Sequence, residues 1–269
     1  MSFLDKYGPW ALIAGASEGT GRAFAERLAG EGLHCILVAR RAAPLQALAD
    51  ELGARHGVEC VTASIDLAAE DAVAQLLAAV GEREVGLYIS NAGADTTNSQ
   101  FLDVPFEAWQ SQVNRSVVNV THCCHHFGGL MRERGRGGIL LVGSGSCYGG
   151  ASYMAIYAAC KAFDLCFGEG LWAELKPHGV DVLNLILGQT DTPAFRESLA
   201  RSGRPVPPGL ASPADVAERG LARLPFGPVH NWGQEDDVAA IMPSAAERRQ
   251  RVEFISEVMA GMFAPAEPD

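Results

Sequence analysis

Trp10-Ala-Leu-Ile-Ala-Gly-Ala-Ser-Glu-Gly-Thr-Gly-Arg22 decides the fold. An apolar run breaks into a glycine-bearing turn, and the turn opens onto a helical pattern, so the stretch reads as strand, turn, helix. Gly15, Gly19 and Gly21 sit where a backbone without side chains turns sharply and lets a ligand come close. The helix that follows aims its free N–H groups and positive dipole end at that point, and the pyrophosphate of a dinucleotide is the natural occupant. Against this stands a glycine turn that serves packing alone; what lies downstream separates the two readings.

Outward from the turn, strands and helices alternate. His34 to Ala39, Val58 to Ser64 and Val85 to Ser90 read as buried strands, with helices starting at Pro44 and running from about Ala68 to Val80. Pro105 to Arg134 is a long helical stretch, Gly138 to Gly143 a strand, Met154 to Lys176 a helix and Val180 to Leu187 a strand. Such a rhythm requires right-handed crossovers and gives a parallel sheet covered on both faces, a doubly wound, Rossmann-like α/β/α sandwich. Ser212-Pro213-Ala-Asp215 starts a further helix, a short strand falls near Pro228 to Asn231, and a terminal helix covers 245–263. Residues 189–209 are polar and patternless, a loop long enough to act as a mobile lid. No linker or repeat divides the 269 residues, so 1–269 is read as one domain.

Composition narrows the function classes. Against 32 acidic residues stand 21 Lys and Arg, a formal charge of -11, with no basic block beyond Arg132 to Arg136, and nucleic acid is excluded as a partner. The start of the chain lacks a basic and long apolar segment, no run is long enough to span a bilayer, and seven cysteines lack paired spacing. The expectation is a soluble cytoplasmic protein with reduced thiols.

Tyr157-Ala-Ala-Cys-Lys161 puts a phenol and an ammonium four residues apart on one helix face. A phenol titrates near ~10 in water, and a neighbouring cation favours its phenolate, so the pair has a use in proton exchange. The plainer reading is an amphipathic Tyr beside a solvated Lys. Ser144 ends the strand before this helix, on the side of the sheet where the glycine turn also lies.

These residues resemble the short-chain dehydrogenase/reductase family over nearly the whole chain. Ala14-Gly15-x-x-x-Gly19-x-Gly21 is similar to its cofactor turn, Ser90-Asn91-Ala92-Gly93 to its Asn-Asn-Ala-Gly segment, Ser144 to its catalytic serine and Tyr157-x-x-x-Lys161 to its catalytic pair. Tyr153 and Ser146 are rivals set aside because Tyr153 has Tyr157 rather than Lys four residues on, and Ser146 is spaced less well from Tyr157. The resemblance implies a cofactor site of Gly15, Ser17, Gly19, Thr20, Gly21, Arg40, Asp66, Leu67, Asn91, Ala92, Gly93, Tyr157, Lys161, Thr190 and Thr192. It also implies a catalytic asparagine on the long central helix; counting from Trp109 and Met131 lands on Ser116, with Asn114 and Asn119 off register, so Ser116 is taken as its replacement. Leu187-Gly188 stands where the family has Pro-Gly.

Ala39-Arg40-Arg41 ends the second strand without a carboxylate for ribose hydroxyls, and a guanidinium binds a 2′-phosphate bidentately, which favours NADP over NAD. Glu18 argues the other way unless it faces solvent. His122 and His126, four apart in Thr121-His-Cys-Cys-His-His126, are read as packing or interface residues rather than ligands, and no metal is expected. The expected activity is an NADP-dependent interconversion of a ketone or aldehyde and its alcohol, on a largely apolar molecule, by a homodimer or homotetramer. Phe101, Tyr148, Met154, Phe195 and Leu199 would line the substrate side, while Arg196, Arg201 and Arg204 greet an acid or water. The alternatives are a non-catalytic NADP(H)-sensing protein and a sugar-nucleotide enzyme, the latter disfavoured by Glu18 where a glycine is usual.

Overall fold

The order of seven parallel strands fixes where a ligand can sit. In the computed structural model, which describes residues 2–94, 97, 99–150, 152–201, 203–232, 247–250 and 253–254, the strands are β1 (Trp10–Ala14), β2 (His34–Ala39), β3 (Cys60–Ser64), β4 (Val85–Ser90), β5 (Gly137–Ser144), β6 (Val180–Leu187) and β7 (Val229–Trp232). They lie in the order β3-β2-β1-β4-β5-β6-β7, every neighbouring pair parallel. The chain winds outward from β1 to β3, then crosses back to β4 on the other side of β1. At that reversal the loops leaving β1 and β4 diverge to opposite faces and open a crevice at the carboxyl ends of the strands.

Every residue of β1 and β4 is buried, as continuous apolar runs in a two-sided sheet must be. One face packs Phe24, Leu28, Leu45, Leu48, Val216 and Leu221 against the sheet, and the other packs Leu76, Phe127, Met131, Trp172 and Leu175. These come from helices α2 (Gly19–Gly30), α3 (Ala42–His56), α4 (Ala72–Val80), α6 (Asn119–Arg134), α7 (Ala155–Leu175) and α9 (Pro213–Arg223). Ahead of β1 stands a short helix, α1 (Phe3–Tyr7), closed by a Ser2–Asp5 capping box that the sequence reading passed over.

Three expectations are corrected. The helix expected from Ala68 begins at Ala72, because Asp66 Oδ1 accepts from Ala68 N at 3.0 Å and holds a turn there. The long helix from Pro105 starts at Phe106 as α5 (Phe106–Val113) and passes through a π-helical turn at Asn114–Val118 before α6. The patternless loop 189–209 contains a helix, α8 (Pro193–Arg201). Thr192 caps it, its Oγ1 accepting from Phe195 N at 3.2 Å, the same cap-then-proline signal that Ser212-Pro213 gives α9. The two ends of this excursion are stitched together, Ala211 N donating to Gln189 O at 3.1 Å and Asp191 N to Ala211 O at 2.9 Å. Of the terminal helix expected over 245–263, residues 247–250 and 253–254 are helical and the rest lie outside the described residues.

Candidate active site

At the reversal between β1 and β4 lies a cleft of about 820 Å³, a size suited to a cofactor. Gly15, Ser17, Gly19, Thr20, Arg40, Asp66, Leu67, Asn91, Ala92, Gly93 and Thr192 line it, as do Glu18, Arg41, Arg115, Pro193, Glu197 and Arg201. Eleven of the residues expected at a dinucleotide thus share one wall system, while Gly21, Thr190, Tyr157 and Lys161 lie outside this lining.

The glycine turn is built for close approach. Gly15 adopts φ +85°, its N–H donates to Val38 O at 2.7 Å, and its carbonyl accepts from Asn91 Nδ2 at 3.0 Å. A Cβ on Gly21 would stand 2.0 Å from that carbonyl, so α2 begins hard against the turn and points its first N–H groups into the cleft. This cradle, which side chains would fill, fits a pyrophosphate. Thr192 leans on it from above, 3.2 Å from where a Cβ of Gly19 would lie.

Charge at the far end of the cleft sorts itself. Glu18 is ion-paired with Arg41, so the acid in the turn is answered. Arg40, next to it, is exposed at the end of β2.

The other half of the site gathers behind Gly93. Lys161, in the second turn of α7, is buried and donates to Val142 O at 2.8 Å and Asp164 Oδ2 at 3.1 Å. A methyl at Gly93 would stand 3.0 Å from Lys161 Nζ and 3.5 Å from Ser116 Oγ, so both groups converge on the glycine that follows β4. Ser116 belongs to the π-helical turn, and Gln112 Nε2 donates to its Oγ and to Gly93 O, both at 3.4 Å. The off-register asparagines go elsewhere: Asn114 Nδ2 donates to Ala68 O at 3.3 Å, and Asn119 Oδ1 accepts from Cys123 Sγ at 3.6 Å. Burial pulls the Lys161 ammonium down, but the charges of Asp164 and Tyr157 outweigh it and hold it above its ordinary range.

Ser144 closes β5 and Tyr157 lies half-buried in the first turn of α7. The Ser144 and Ser146 hydroxyls are 3.3 Å apart, so the preferred serine and its rival occupy one neighbourhood. Tyr153 is different: it precedes α7 with φ +66°, is 52% exposed, and its hydroxyl accepts from Gln100 Nε2 at 3.0 Å. Thr190 is buried and bridges to Ala211.

Tyr148, in the turn that follows Ser144, is tied to distant parts of the chain. Tyr148 donates to Asn231 Oδ1 at 2.6 Å, its ring lies 5.7 Å from the Arg248 guanidinium, and Arg248 grips Glu169 bidentately at 2.5 and 2.9 Å. Arg115, Glu197 and Arg201 are cleft residues that sequence reasoning did not assign to the cofactor. Pro193, Glu197 and Arg201 recur every fourth residue, a helical face hidden in a stretch read as loop. His122, His125 and His126 are exposed on α6, and among the described residues no group of three or more His, Cys, Asp or Glu could hold a metal ion.

Residues 9–202 match the family model of short chain dehydrogenases. The chain belongs to the short-chain dehydrogenase family. It is 32% identical over 199 residues to a 7β-hydroxysteroid dehydrogenase of Collinsella aerofaciens, covering 74% of this chain and 75% of that one. A solved 7β-hydroxysteroid dehydrogenase superposes with a TM-score of 0.82 at 27% identity, over 94% of this chain and 100% of that one. A short-chain dehydrogenase from Sphingobium yanoikuyae in complex with NADPH superposes with a TM-score of 0.78 at 26% identity, over 97% and 99% of the two chains. This short-chain dehydrogenase is therefore an oxidoreductase that interconverts CH–OH and C=O groups with a nicotinamide cofactor, NAD(P).

Proposed function

We propose that the protein is an NADP-dependent reductase of bulky, largely apolar ketones, with oxosteroids the first substrates to test. The convergence of Lys161 Nζ and Ser116 Oγ on Gly93, at the mouth of the cleft, carries this reading. The bound cofactor supplies or accepts the hydride. Ser144 holds the carbonyl oxygen, and Tyr157 gives or takes the proton there. Lys161 favours the ionised phenol and reaches toward the ribose, while Ser116 takes the place of the family's asparagine beside it. Gly15, Ser17, Gly19, Thr20 and Gly21 hold the pyrophosphate; Asp66, Leu67, Asn91 and Ala92 hold the adenine side and the ribose; Thr190 and Thr192 grip the nicotinamide amide.

The pairing of Glu18 with Arg41 supports NADP, because it takes the turn's carboxylate out of competition and leaves the Arg40 guanidinium facing the place of a 2′-phosphate. The NADPH bound by the Sphingobium relative and the steroid named for the Collinsella relative point the same way. We read residues 1–269 as one domain in which 189–209, with α8 inside it, acts as a lid. Val118 and Leu130, 45% and 40% exposed on the long helix, suit a homodimer or homotetramer, and seven free thiols suit the reducing cytoplasm.

Tyr157→Phe tests the reading. NADPH affinity should stay within about threefold of the parent while turnover on the best ketone of a panel falls by at least about 10²–10⁴-fold. A Phe variant as fast as the parent removes the role. NADPH binding with no turnover on any ketone by the parent itself would favour the non-catalytic sensing alternative.

A further inference from the structure

Asp164 is buried with no part in the reading given above. It follows Lys161 by three residues on α7, on the face that also carries Tyr157, and its Oδ2 lies 3.1 Å from Lys161 Nζ. The two side chains are 7% and 6% exposed. Its Oδ1 has no hydrogen-bond donor among the described residues. A carboxylate so placed is costly, and its charge is directed at one cation rather than shared with backbone N–H groups.

We propose that Asp164 is a positioning residue that holds the Lys161 side chain in place and, by offsetting its charge, fixes how readily Tyr157 gives up its proton. The inference deepens the proposed function and rests on it. Lys161 also has a second anchor, Val142 O, so its Nζ is held between strand and helix at the point where Ser116 and Gly93 meet it.

The groups that face this pair are few. On α7 itself they are Tyr157 and Cys160; from α6 Cys124 faces Asp164; from the turn after β5 Cys147 feels Lys161; from the π-helical turn Arg115 acts on Cys160. Burial pushes the three thiols up, Cys147 to about 12, so they are neutral near pH 7 and Asp164 is the standing negative charge against Lys161. Burial pushes Asp164 up and Lys161 opposes it. With the Asp164 charge removed, the Lys161 ammonium, still anchored on Val142 O, is no longer offset, so the phenol's proton leaves more easily and the pH profile moves to the acid side.

Asp164→Asn keeps an acceptor for Lys161 and deletes the charge. In alcohol oxidation the rising limb of the pH profile should move down by about 1 pH unit or more, since a charge at this range shifts titration by about 1–3 units. Asp164→Glu should bring it back toward the parent. A second readout needs no cofactor: the tyrosinate absorbance that Tyr157→Phe abolishes, followed against pH, should show the same acid shift in the Asn variant. If circular dichroism shows Asp164→Asn unfolded, Asp164→Ser replaces it. Midpoints within about 0.3 unit of the parent, or moved to the alkaline side, in both measurements overturn the proposal. Failure of the proposed function would look different, as no ketone turnover by the parent, and the tyrosinate titration would still decide the role of Asp164.

Discussion

Replacing Gly21 by Ala puts one methyl group where the turn and α2 meet. Its Cβ would stand 2.0 Å from Gly15 O, 2.8 Å from Gly15 C and 2.7 Å from Asn91 Nδ2. Carbon and oxygen need roughly 3.4 Å, so the helix start must retreat by more than about 1 Å. The carbonyl cannot yield instead, because Gly15 N is tied to Val38 O and Gly15 O to Asn91. Overpacking against fixed backbone costs about 1–3 kcal/mol of stability. For the cofactor the loss is larger: two charge-assisted N–H bonds to a pyrophosphate, at about 1.5–3 kcal/mol each, correspond to at least about 100-fold in Kd. NADPH fluorescence titration measures the second effect and thermal unfolding the first. Gly170→Ala is the control, since a Cβ there meets nothing within 4 Å, and it should stabilise α7 by about 1 kcal/mol. A Gly21→Ala protein with Kd within about threefold of the parent would refute the assignment of the turn to the phosphates.

Other expectations follow from single contacts. Glu169→Gln leaves the Arg248 guanidinium buried without its counter-ion, their side chains being 7% exposed; the cost of about 3–5 kcal/mol should lower the melting temperature by roughly 10 °C. Arg40→Ala should weaken NADPH at least about tenfold and leave NADH within about twofold, read from Kd for both cofactors, the difference being one charge-assisted phosphate contact. Exposed Cys166 should take up iodoacetamide at pH 8 before buried Cys123 and Cys147. Burial pushes Cys123 to about 11 and Cys147 to about 12, which leaves them about one part in a thousand thiolate or less at that pH; peptide mapping by mass spectrometry gives the order.

The parts of the sequence that spoke clearly are those where one residue type has one physical use. Continuous apolar runs such as Leu12-Ile13 and Ile36-Leu37-Val38 have no place except inside a two-sided sheet, and the glycines after β1 have no better use than a tight turn. The site was legible where residues follow strand ends directly, as Asn91 to Gly93 and Ser144 do. What stayed hidden depends on geometry that spacing does not encode. The π-helical turn adds a residue to one turn of the long helix, and it is there that Ser116 faces Lys161 across Gly93. α8 was missed although Thr192-Pro193 repeats the Ser212-Pro213 signal, because the flanking proline and polar residues masked its period. The Glu169–Arg248 pair joins residues 79 apart in the chain and leaves no local trace.

That same pair makes the corner around Tyr148 a joint holding. Glu169, Tyr148, Asn231 and Arg248 come from separate stretches, yet each is held by another of them. Changing one alone strands its partner's charge or hydroxyl, so their effects will not add. Anyone altering this corner should vary the four together, since libraries built one position at a time discard combinations that work only as a set.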